Sequence, residues 1–180
     1  MDPARIAGAF GIIPGMRIAD FGAGNGYFTI AMAELTGESG AVNAVDVLQT
    51  SLDTIRLKAK SLGFNNIHAI RANLEIVGKS GLGDNSQDLV LMKNILFQIQ
   101  DKGGALTEAV RVLRENGKLV VIDWRKGAGG FGPPDQLRVE QGLVQDLILK
   151  SGFRLEKSID IDPFHYGYIF RKIIKGTNHF

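Results

Sequence analysis

Cysteine is absent from all 180 residues, so the chain can form no disulfide and no thiolate zinc site. No apolar run approaches the roughly 20 residues of a membrane-spanning helix. The opening residues, MDPARIAGAF, lack the basic stretch and apolar core of a secretion signal, which implies a cytoplasmic protein. An excess of one charge is also missing: the formal net charge is +2, and Arg56, Lys58 and Lys60 are followed only distantly by Arg111, Arg114 and Lys118. Bases scattered in this way read as solvated helix faces rather than the concentrated stripe of a nucleic-acid module, so no nucleic-acid partner is expected. What remains is an ordinary globular composition, 44% hydrophobic and 22% charged, of a size that suits one domain over 1–180.

The informative stretch runs from Arg17 to Asp46. A short apolar strand pattern ends in Asp20, a glycine-rich turn follows, then a helix from about Asn25 to Leu35 with Ile30, Met32, Ala33 and Leu35 turned inward, then a second strand over Ala41–Val45. Strand, glycine turn, helix and strand make half of a nucleotide site. Gly22, Gly24 and Gly26 lack the Cβ atoms that would hold a ligand off the backbone. Asp46 stands about 20 residues after the last glycine, the spacing of a ribose-binding carboxylate. A dinucleotide turn wants a third small residue where this chain has Tyr27. Asp20 discriminates further, because a carboxylate there repels a pyrophosphate and attracts an ammonium or sulfonium.

The run Asp20-Phe21-Gly22-Ala23-Gly24-Asn25-Gly26, with Asp46 closing the next strand, resembles the first two motifs of class I S-adenosylmethionine-dependent methyltransferases. The likeness covers nearly the whole chain and is nearest to the small enzymes grouped with the quinone-biosynthesis and arsenite methyltransferases. It implies a doubly wound α/β sheet of seven strands in the order 3-2-1-4-5-7-6, with strand 7 antiparallel. It also implies S-adenosylmethionine as cofactor, S-adenosylhomocysteine as its product and a small-molecule acceptor. The cofactor contacts implied are Asp20, Phe21, Gly22, Ala23, Gly24, Gly26 and Tyr27 from the turn, and Asp46 and Val47 after the second strand. Asn73 and Leu74 follow the third strand, where Asn73 reads either as an adenine contact or as a turn former. Lys93, Asn94 and Phe97 follow the fourth, and Phe97 reads equally as a core aromatic.

Departures from the family pattern narrow the chemistry. Without cysteine there is no nucleophile for carbon 5 of cytosine and no thiol set for arsenic. The Asn-Pro-Pro-Tyr type motif that holds planar amines is missing, as is the histidine pair common near Phe97. Lys93 stands where the metal-dependent oxygen methyltransferases place a carboxylate, so no metal is expected. Methyl transfer needs no dedicated base; Asp123 and His165 are the candidates if one is used, and each also reads as structural. Methylation of RNA or protein, and cofactor binding without turnover, stay open.

The remaining chain is read in order. Asp2-Pro3 starts a short helix over 3–10. Family members often carry a longer N-terminal segment over the cofactor, so an open site is expected, or a cover supplied by a second copy in a homodimer. Leu52, Ile55, Ala59 and Leu62 mark a helix stopped by Gly63. Asn66–Ile70, Asp88–Lys93 and Lys118–Asp123 read as strands three to five. A helix over Gly103–Arg114, with Leu106, Ala109, Val110 and Leu113 inward, stops at Asn116-Gly117. The stretch after Trp124 is expected to be a mobile substrate cover, followed by a helix over Gln136–Ser151. Two strands around Asp162-Pro163 complete the sheet, and 175–180 is expected to fray.

Overall fold

The computed structural model describes residues 1–173, so the expected frayed tail lies outside the described residues. Five strands run parallel: β1 (Arg17–Phe21), β2 (Ala41–Asp46), β3 (Ile67–Arg71), β4 (Gln87–Lys93) and β5 (Leu113–Trp124). A hairpin of β6 (Phe153–Asp162) and β7 (His165–Lys172) completes the sheet, with β7 antiparallel to β5. The order is β3-β2-β1-β4-β5-β7-β6, as the resemblance implies.

The central strands are apolar at successive residues because both of their faces are covered. Ile18, Leu89, Leu91, Val120 and Ile122 meet α1 (Pro3–Gly8) and α2 (Tyr27–Thr36). The alternate residues Ala19, Phe21, Val90, Met92, Leu119 and Val121 meet α4 (Lys102–Val112) and α5 (Gln141–Lys150). Leu52 and Ile55 of α3 (Gln49–Leu62) pack on Ala44 of β2. Truncating a fully buried member such as Leu91 to Ala costs about 2–5 kcal/mol. Asp2 caps α1, its carboxylate accepting from Ala4 N and Arg5 N. No helix among the described residues is long and apolar enough to cross a membrane.

Several details differ from the sequence reading. Leu35 and Leu62 are exposed, because α2 buries the stripe of Phe28, Met32, Ala33 and Thr36, and α3 that of Leu52, Ile55 and Ala59. Helix α4 ends at Val112, before the expected stop, since Leu113 is already extended and paired with Gln87. Asn116, at φ +59°, then lies in the irregular stretch before Lys118 pairs with Leu89.

Helix α5 begins at Gln141, after a single 3-10 turn at Asp135–Leu137. The cause is Arg138, which is extended and only 5% exposed. Its guanidinium donates to the carbonyl oxygens of Arg125 (3.0 Å), Pro133 (3.0 Å), Gly129 (3.4 Å) and Phe131. The glycine-rich loop expected to be mobile is therefore wound around one buried cation.

A second buried charge holds the loop before β4. Glu108 of α4 accepts from Gly78 N (2.6 Å), Ser80 N (3.1 Å) and Arg111 Nε (2.8 Å). Burial alone raises its pKa, but these hydrogen bonds bring it down to about 2.

Candidate functional site

The parallel strands leave a crevice at their carboxyl ends where the chain order reverses, between β1 and β4. A cavity of about 480 Å³ lies there, within the roughly 300–1,000 Å³ of small-molecule sites. The turn after β1 forms one wall. Gly22 N and Ala23 N both donate to Val45 O, at 2.8 and 3.2 Å, which ties the turn to the tip of β2. Asp46 tightens the same junction: its Oδ2 accepts from Gly24 N at 2.8 Å and its Oδ1 from Leu48 N at 2.9 Å. Each oxygen keeps acceptor capacity for a further donor.

The three glycines do different work. All have positive φ, but a Cβ on Gly22 would meet Ile95 Cγ2 at 2.2 Å, and one on Gly26 would meet Ile55 Cγ1 at 2.6 Å. Only at Gly24 would a Cβ meet no protein atom within 4 Å. Gly22 and Gly26 are thus required by packing, and Gly24 alone leaves bare backbone beside open space.

Asp20 also lines the cavity, 2% exposed, accepting from Thr29 Oγ1 of α2 at 2.6 Å. Burial pushes its pKa up to about 6, against the Thr29 hydrogen bond and the nearby Lys93 charge. At neutral pH it is mostly ionised. The rim carries Tyr27, whose ring has Lys58 Nζ 3.9 Å from its centroid while that ammonium donates to Asn25 O at 2.7 Å.

Across β1, Val47, Asn73 and Leu74 line the outer part. Asn73 does form a turn: its Oδ1 accepts from Glu75 N at 2.9 Å, which leaves Nδ2 as the group free to meet a ligand. Beyond β4, Lys93 and Asn94 line the other side. Asn94 adopts φ +54°, its N donating to Ile122 O at 2.8 Å. Its Nδ2 lies 3.3 Å from His165 Nε2, and Asp162 Oδ1 is 2.8 Å from His165 Nδ1. The ring of Trp124 is tilted against that imidazole, centroids 4.0 Å apart.

Of the expected contacts, Asp20, Gly22, Ala23, Gly24, Tyr27, Asp46, Val47, Asn73, Leu74, Lys93 and Asn94 all line the cavity. Phe21, Gly26 and Phe97 do not. Phe21 lies wholly in the core because its strand position faces α4, Gly26 backs onto Ile55, and Phe97 is half-buried on the turn after Leu96 and does not line the cavity. The two candidate bases are also off the cavity. Asp123 is 2% exposed, and its oxygens accept from Leu96 N (2.9 Å) and Trp124 N (2.7 Å). Burial pushes its pKa up to about 6 as well, against those amides. His165 is 6% exposed and held at both nitrogens, with burial lowering its pKa.

The methyltransferase-domain family model matches residues 12–159. The chain belongs to this family. Among curated methyltransferases, the ubiquinone/menaquinone biosynthesis C-methyltransferase of Vibrio cholerae is 33% identical over 117 residues, 64% of this chain and 44% of that one. The chain thus spans less than half the length of that relative. A SAM-dependent methyltransferase from Aquifex aeolicus superposes with a TM-score of 0.87 at 24% identity, covering 96% of this chain and 90% of that one. The arsenic(III) S-adenosylmethionine methyltransferase of Chlamydomonas reinhardtii gives 0.71 at 24%, covering 90% and 64%. These two likenesses establish the methyltransferase fold.

Sequence reasoning missed part of this cavity. Leu48 and Ser51 line it from the start of α3, and Ala72 and Glu75 flank the expected pair after β3. Ile95, Gln98 and Ile99 line it where Phe97 was expected, and Asn25 and Phe28 complete the turn. Their proximity to Asp46, Asn73 and Asn94 in the chain was the available signal.

Proposed function

We propose that this protein transfers a methyl group from S-adenosylmethionine to a small-molecule acceptor. The observation that carries the reading is Asp46, a carboxylate pinned by Gly24 N and Leu48 N at the cavity wall. Its remaining lone pairs suit the two hydroxyls of a ribose, and the open space over Gly24 suits a nucleoside laid on the backbone. Buried Asp20 suits the cationic, amino-acid end of the same ligand. Val47 and Leu74 offer apolar surface to a base, with Asn73 Nδ2 as a donor at its edge.

When bound, the cofactor would supply an electrophilic methyl carried on a sulfonium, with the sulfur as leaving group for an acceptor's electron pair. What the chain contributes is alignment and exclusion of water. The name of the Vibrio relative, a C-methyltransferase of quinone biosynthesis, supports a small-molecule acceptor. We read 1–180 as one domain working in the cytoplasm, and a homodimer is the arrangement that would cover the open cavity; light scattering with and without S-adenosylhomocysteine tests the latter.

Calorimetric titration of S-adenosylhomocysteine against NAD tests the cofactor. Tight binding of the first and none of the second is expected, and the reverse rejects the reading. Incubation with methyl-labelled cofactor and fractionated cell extract tests the acceptor, with label expected in small metabolites; label in macromolecules rejects that part.

A further inference from the structure

The cavity contains a cation with no bonded partner. Lys93 is the sole basic residue among those lining it. Among the described residues, no acceptor hydrogen-bonds its Nζ and no carboxylate oxygen lies within 4.0 Å. The Phe28 ring centroid is 5.6 Å away. Three acids act on it from a distance: Asp20 of β1, Asp123 of β5 and Asp162 of β6. Two of the three belong to the β5–β7–β6 side of the crevice, opposite the half formed by Asp46 and Asn73. A half-buried ammonium beside a cavity suited to a cationic cofactor is unfavourable unless an anion joins it.

Among the described residues, that side of the crevice also lacks a free base. Each oxygen of Asp123 already accepts a backbone amide, His165 is held between Asp162 and Asn94, and neither lines the cavity. On that side, a free cation without a free base suits an acceptor that reacts as an anion.

We propose that Lys93 forms an anionic-oxygen subsite: the methyl acceptor carries a phenol, enol or carboxylic acid whose oxygen pairs, ionised, with the Lys93 ammonium. That oxygen is the atom methylated, or is conjugated with the carbon that is. The inference rests on the methyltransferase reading of the same cavity, and it moves Lys93 from the cofactor set to the acceptor. The acceptor's proton goes to water on docking, and where carbon is attacked its hydrogen also leaves to water as a proton. The Lys93 ammonium keeps all of its protons throughout.

The test uses para-nitrophenol, whose ion alone absorbs visible light, added to protein saturated with S-adenosylhomocysteine. The wild-type complex should lower the probe's apparent pKa by about one unit, a tenfold shift toward the ion. Lys93→Arg should retain the shift and Lys93→Met should abolish it, with S-adenosylhomocysteine affinity by calorimetry changed less than about threefold in both. No shift in wild type, or an equal shift in Lys93→Met, overturns the proposal. So does a loss of S-adenosylhomocysteine affinity of tenfold or more in Lys93→Met that vanishes with the decarboxylated analogue, which would give Lys93 to the cofactor's carboxylate. Failure of wild type to bind S-adenosylhomocysteine at all sinks the cofactor reading itself, a separate outcome.

Discussion

Asn94 Nδ2 stands 3.3 Å from His165 Nε2, while Asp162 Oδ1 holds the opposite ring nitrogen at 2.8 Å. An amide nitrogen has only hydrogens to offer, so Nε2 is the acceptor and the proton sits on Nδ1. This neutral imidazole joins the tip of β4 to the β6–β7 turn. Nitrogen-detected NMR should show the Nδ1–H form at neutral pH. His165→Phe should cost about 1–3 kcal/mol in denaturant unfolding. A histidine whose folded pKa is lowered contributes stability that is complete above the unfolded value of 6.5 and is lost as pH falls below it. The gap between wild type and His165→Phe should therefore narrow in acid; a constant gap rejects the assignment.

Asp46→Ala should weaken S-adenosylhomocysteine binding by about 1–3 kcal/mol in calorimetry, since it removes the ribose acceptor and releases Gly24 N and Leu48 N. Asp46→Asn should weaken it too, because one amide hydrogen must then face a backbone N–H. Unchanged affinity in both variants removes Asp46 from the site.

Alanine at the glycines should separate packing from binding. Gly22→Ala drives a methyl into Ile95 at φ +74° and should lower the unfolding free energy by about 1–3 kcal/mol. Gly24→Ala, at φ +52° in open space, should cost only about 1 kcal/mol of stability and should reduce cofactor affinity more than tenfold. Equal effects of the two on binding and melting would contradict the division.

Asp20 should couple binding to pH. With its pKa near 6, S-adenosylhomocysteine affinity should fall as pH drops through 6, and Asp20→Asn should flatten that dependence. The stability sign is opposite: a carboxylate raised from 3.8 stabilises the fold while protonated and loses that contribution as pH rises through about 6. Asp20→Asn should therefore be more stable than wild type at pH 7, by about 1–3 kcal/mol, while binding cofactor less well. A less stable variant would show that the carboxylate is not strained by burial.

The strands and the two carboxylates were legible because they rest on local signals, apolar runs, a glycine turn and acids at strand ends, whereas the strand order came from the family resemblance those signals carry. The antiparallel hairpin was legible for the same reason, in the alternation of Tyr166, Tyr168 and Phe170. What escaped were pairings between residues far apart in the chain. Nothing near Gly22 in sequence points to Ile95 as the side chain beside it, so the packing demand on this cavity-lining glycine went unread. Glu108 looks like a solvent-facing helix residue until Gly78, Ser80 and Arg111 are seen around it. Arg138 likewise looks like part of a helix, because hydrophobic periodicity carries no record of which carbonyls a guanidinium will gather.

Arg138 also shapes how this protein can change. Its carbonyl partners are backbone atoms, so a new side chain at a non-glycine position at the tip of the loop, such as Phe131, leaves the acceptors in place, whereas a Cβ on Gly132 would meet the Trp124 ring at 2.5 Å. Phe131, 72% exposed and ringed against Phe164 at 6.2 Å, stands at that tip. Exchange of its side chain therefore trades the Phe164 contact without disturbing the carbonyl that Arg138 holds.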